Sequence, residues 1–103
     1  MRNKEKIILI QNVIDNPGSE AIYYKLLEDM DDLKTNYSEY LTTEPICCDE
    51  ELERLPTADY ELCTALLTMV LREDHFCSGS FIRRYEAGQV KMILDRMLEL
   101  LKQ

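Results

Sequence analysis

Apolar residues recur along this chain at intervals of three and four, the period of an α-helix with one buried face. The pattern is cleanest over residues 89–102. There Val90, Ile93, Leu94, Met97, Leu98 and Leu101 share one side, and Lys91, Asp95, Arg96 and Glu99 share the other. This predicts an amphipathic C-terminal helix. Residues 58–72 read differently. Leu62, Cys63, Ala65, Leu66, Leu67, Met69, Val70 and Leu71 leave almost no polar face, as expected of a helix surrounded by others. Thr57 offers an N-cap for it, and Asp59 and Glu61 place negative charge at the positive end of the helix dipole. The expected core is the contact between these two helices, with Phe76 and Phe81 wedged at their join.

The first half is patterned less sharply. Ile7, Ile10 and Ile14, widened by Leu9 and Val13, predict a helix over residues 4–15. The β-branched run Ile7–Ile10 would also suit a strand, but no partner strand is evident. Asn16-Pro17-Gly18-Ser19 stops this helix and starts another. From Ser19 onward Tyr23, Leu26, Met30, Leu33, Tyr37 and Tyr40 form a heptad seam, broadened by Leu27 and Leu41. Glu28, Asp29, Asp31, Asp32 and Glu39 form the opposite, solvated face. Thr35 and Asn36 are poor helix formers and mark a kink or break. A loop over residues 42–45 follows. A short helix capped by Asp49 then runs to Leu55, where Pro56 ends it. Another short helix spans residues 81–87, with Ser78 or Ser80 as cap and Gly88 as a left-handed stop. These elements define an all-α fold: one compact bundle of four to five helices in a single domain, residues 1–103.

Charge narrows the function classes. There are 20 acidic against 12 basic residues, for a net charge of −8, and no basic cluster is longer than Arg83-Arg84. Direct nucleic-acid binding is therefore not expected, because it needs several phosphate-neutralising cations on one face. An acidic surface that docks on a basic protein, or imitates nucleic acid, is compatible with this charge, and so is simple solubility. Ile7–Ile10 is too short for a signal-peptide core or a membrane span. The expectation is a cytoplasmic protein with no membrane partner. Its cysteines, Cys47, Cys48, Cys63 and Cys77, would then be reduced thiols, and no C-x-x-C pair is present.

Candidate chemistry concentrates between the two apolar helices. Arg72, Asp74, His75, Phe76, Cys77 and Gly79 are the binding candidates. His75 is the only histidine. Asp74 or Glu73 could orient it as a base, with Cys77 as nucleophile. Residues two apart do not secure that contact, and only the amides of Ser78 and Gly79 could serve an oxyanion. No catalytic residue is assigned. A metal would need His75 and Cys77 together with Cys47 and Cys48, and adjacent cysteines are poor tetrahedral ligands. No metal and no cofactor is expected. In the structural reading, Arg72 ends a helix, His75 bonds a carbonyl or carboxylate, and Gly79 supplies an unusual backbone angle.

From Leu66 the run LLTMVLREDHFCSGSFIRRYEAGQVKMILDRMLEL resembles a family of small, uncharacterised bacterial and phage-borne proteins, a domain of unknown function. The resemblance rests on Arg72, Asp74, His75, Phe76, Gly79, Phe81, Glu86, Gly88, Leu94 and Arg96, with arginine the more usual residue at position 75. It implies a helical fold and no established activity. It also speaks against a base at position 75, and Glu86 could pair with Arg72 or Arg96 to fix the short helix. Three functions stay open. The first is a non-enzymatic acidic protein-interaction domain, binding another protein or itself through the tyrosine seam. The second is a small enzyme or ligand binder built on residues 72–77. The third is an acidic nucleic-acid mimic, which needs Glu28, Asp29, Asp31, Asp32, Glu50, Glu51 and Glu53 on one continuous face.

Overall fold

The computed structural model describes residues 1–103 as six α-helices and two 3-10 turns, with no strand. The helices are α1 (Asn3–Asp15), α2 (Glu20–Asp29), α3 (Cys48–Leu52), α4 (Tyr60–Phe76), α5 (Ser80–Glu86) and α6 (Gln89–Leu101). The 3-10 turns are Tyr37–Tyr40 and Leu55–Thr57. The all-α class holds, with more helices than the four to five expected.

α4 is the central element. Every residue from Cys63 to Leu71 is buried, and α6 packs along it with Val90, Ile93, Leu94, Met97, Leu98 and Leu101 turned inward. α1 packs on α6 through Ile10 and Val13, and α2 closes the core with Tyr23, Leu26 and Leu27. Hydrocarbon burial along these faces is the main stabilising term. The cap of α4 is Asp59, not Thr57: its side chain accepts from the Leu62 amide at 2.8 Å. Cys47 is the N-cap of α3 and makes no side-chain cap bond, so Asp49 lies inside the first turn.

The heptad seam does not form one helix. α2 ends at Asp29, well before Thr35, in a Schellman closure: Asp32 N donates to Leu27 O (2.8 Å) and Asp31 N to Glu28 O (3.0 Å). This closure needs a left-handed residue, and Asp31 supplies it at φ 59° in place of the usual glycine. Tyr23, Leu26 and Met30 are consumed by the chain's own core. The expected pairing of two chains along that seam therefore loses its surface.

The break also redirects Asp32. Expected on a solvated face, it is 6% exposed and accepts from Lys6 Nζ (2.8 Å) and Tyr60 Oη (2.6 Å). Lys6 lies 5.0 Å from the centre of the Tyr60 ring as well. One carboxylate thus ties α1, the end of α2 and the start of α4.

Candidate functional site

α4 does not stop at Arg72. It runs one further turn to Phe76, so most of the expected loop is helix. Burial ends at Leu71, and beyond it helical phase sorts the side chains. Phe76, expected in the core, is 88% exposed. Phe81 does fill the join, with its ring 5.2 Å from that of Tyr23.

Asp74 closes the corner between α4 and α5. Its Oδ1 accepts from the amides of Gly79 and Phe81, both at 3.1 Å, and so takes the role expected of Ser78 or Ser80. Gly79 and Gly88 hold φ of +86° and +84° at the two ends of α5, where a side chain would be strained. His75 is exposed and has no side-chain hydrogen bond; Cys77 is exposed, with Arg83 Nη2 3.4 Å from its Sγ. Arg72 is half-buried beside Tyr24.

The ion pair at this corner belongs to residues outside the candidate set. Arg84 grips Glu73 with two bonds, Nε to Oε1 (2.6 Å) and Nη2 to Oε2 (2.9 Å), and its Nη1 reaches Asp49 (2.8 Å) and Gln89 (3.0 Å). The Arg84 guanidinium holds the Glu73 carboxyl below its ordinary range despite partial burial. Cys48 lies beside Glu73 in the same wall; burial first, and the Glu73 charge second, push this thiol up to about 12. Glu86 is exposed and forms no ion pair, contrary to expectation. Arg96 instead holds Ala58 O and Glu99.

Three depressions flank the corner, one of them polar and lined by Ser80, Arg83 and Arg84. Another, of about 360 Å³, includes Asp74 and Gly79 but not Arg72, His75 or Cys77. The acid–base set therefore does not face one space, and Asp74 is already engaged by two amides. The third, of about 260 Å³, is an apolar groove lined by Tyr37, Ile46, Cys48, Met69, Glu73 and Phe76. Ile46 is 43% exposed at this groove. No three His, Cys, Asp or Glu side chains converge as a metal cage requires, and all four cysteines are unpaired.

A buried carboxylate anchors the segment that carries Ile46. Glu51 is fully buried and accepts from the Thr42 amide (2.9 Å), the Thr43 amide (2.7 Å), Thr43 Oγ1 (2.5 Å) and Arg54 Nη1 (2.9 Å). Burial alone would push this carboxyl up. The donors outweigh it and hold it at about 2. With Asp32 and Glu51 turned inward, the seven acids expected to form one mimicking face (Glu28, Asp29, Asp31, Asp32, Glu50, Glu51, Glu53) do not form it.

The sequence did not announce the roles that Ile46, Cys48, Glu73 and Arg84 take here: it offers Glu73 as an orienting partner for His75, and Cys48 only as a metal ligand. Only Glu73 lay inside the stretch it singled out, and no periodicity marks the others. No helix is long and apolar enough to cross a membrane. Neither a curated protein nor a solved structure matches the chain. The model of one family does match, over residues 1–103: the chain belongs to DUF6508, a family of unknown function.

Proposed function

We propose that this chain is a non-enzymatic, cytoplasmic protein-interaction domain that docks another protein on the groove beside Phe76. The carrying observation is the Phe76 ring, 88% exposed at the end of the most buried helix and bordering an apolar groove. Exposed aromatics next to apolar pockets are the usual anchors of protein interfaces. The groove is preformed, because Glu51 fixes the segment bearing Ile46 and the Glu73–Arg84 pair fixes its wall.

The partner is a different protein rather than a second copy. Two chains of charge −8 repel on approach, and the tyrosine seam is occupied. A ligand-binding enzyme gains less support, since Asp74 caps α5 and the depression beside it includes none of Arg72, His75 and Cys77.

The test compares wild type with Phe76→Ala in pull-downs from the native cell, alongside sedimentation of each. A protein retained by wild type and lost with Phe76→Ala supports the reading. Equal retention by both, or a wild-type dimer that Phe76→Ala dissolves, overturns it.

A further inference from the structure

A second groove runs along the other side of α3. It holds about 440 Å³, with Leu52, Leu55, Pro56 and Met92 as its apolar lining and Asp49 and Glu53 as its carboxylates. Met92 is 55% exposed there. Asp49 and Glu53 lie four residues apart at the two ends of α3, so they stand on one face. Asp49 is 79% exposed and gives only one oxygen to Arg84, while Glu53 has no ion pair. No lysine or arginine lines the groove.

We infer that this groove receives a cationic stretch of the docking partner, with lysine or arginine stems lying on Leu52 and Met92 and their charged heads meeting Asp49 and Glu53. Two properties favour that occupant. Lysine and arginine carry a long apolar stem and a charged tip, the complement of an apolar floor beside exposed carboxylates. Six of the chain's twelve cations are also turned partly inward: Lys6, Lys34, Arg54, Arg72, Arg84 and Arg96 are half-buried, and all but Arg72 are held by an acid or a carbonyl. The acids are left to dominate the surface and attract positive charge. Cys48 lines the Phe76 groove and Asp49 lines this one, so one segment crossing α3 meets both. The inference deepens the docking reading above and rests on it for the partner being a protein.

The test is an NMR titration of the full chain with a synthetic peptide that spaces Lys and Leu at helical intervals, and with a counterpart in which every Lys is Gln. The Lys peptide is expected to shift the methyl signals of Leu52, Leu55 and Met92 and to bind more weakly as salt is added. Asp49→Asn with Glu53→Gln is expected to weaken it roughly 2- to 30-fold, the range for two exposed ion pairs. Equal binding of the Gln peptide, shifts confined to other surfaces, or an unchanged affinity in the double variant each overturn the inference. The two readings fail separately. Tight binding here with no native protein lost on Phe76→Ala removes the first groove alone. A native protein lost on Phe76→Ala but kept by the double variant removes this one alone.

Discussion

Across the α4–α6 contact the buried faces are almost entirely hydrocarbon, from Cys63 to Leu71 on one helix and from Val90 to Leu101 on the other. The segment from residue 33 to 57 is built otherwise. It contributes only Leu55 to the buried apolar core, with Leu33, Tyr37, Leu41, Cys48 and Leu52 partly covered. Its path is fixed by a carboxylate: Glu51 gathers two backbone amides, two hydroxyls and a guanidinium. Hydrophobic burial is non-directional, so the first region depends on volume and area. Charge-assisted hydrogen bonds are directional, so the second depends on a few atoms and on their ionisation. Both grooves border this second region, where geometry is set most locally.

The sharpest way to break the comparison is to open a cavity in the first region. Leu67→Ala, at a fully buried position in α4, is expected to cost about 2–5 kcal/mol in urea unfolding. In the second region, Glu51→Gln keeps the shape and removes the charge, with an expected loss of about 2–3 kcal/mol. Hydrogen exchange is expected to separate the two variants, accelerating first at Thr42 and Thr43 in Glu51→Gln and throughout α4 and α6 in Leu67→Ala.

Acid distinguishes the regions too. The folded Glu51 carboxyl sits at about 2, below its ordinary 4.5, so it contributes stability that is fully present above 4.5. That contribution is lost as pH falls from about 4.5 to about 2. Glu73, also lowered, adds to the loss with the same sign. The denaturation midpoint is expected to fall in this window, and to fall less in Glu51→Gln; parallel profiles would deny Glu51 its anchoring role.

Smaller effects sharpen the boundary. Gly88→Ala places its Cβ in open space, so only the left-handed backbone is strained, at about 1–2 kcal/mol. Phe76→Ala is expected to change stability by less than about 0.5 kcal/mol, because the ring is exposed. A larger loss in thermal unfolding would mean that the ring packs.

The hydrocarbon region was legible because its information is periodic. The α6 stripe and the all-round apolar α4 named their buried residues directly, and Gly79 and Gly88 announced their backbone angles. The directional region was not legible, because its information is positional. Asp49, Glu50 and Glu51 are three successive acids, and nothing in their order says that the third is buried while the others face water. The seam from Tyr23 to Tyr40 kept its spacing past Asp31, and only the Schellman closure shows that the chain turns there. Phe76 misled for a related reason. Hydrophobicity argued for burial, whereas the extra helical turn carried it past Leu71 into solvent.

The thiols differ in exposure: Cys63 is buried, Cys47 and Cys48 are half-buried, and Cys77 is exposed. Burial pushes Cys63 up to about 11 and Cys48 to about 12, so neither reacts readily as a thiolate near neutrality. Cys77 stands in the open one residue beyond Phe76. A maleimide dye attached there would sit at the edge of the docking surface, giving the molecule a built-in optical handle for the moment a partner arrives.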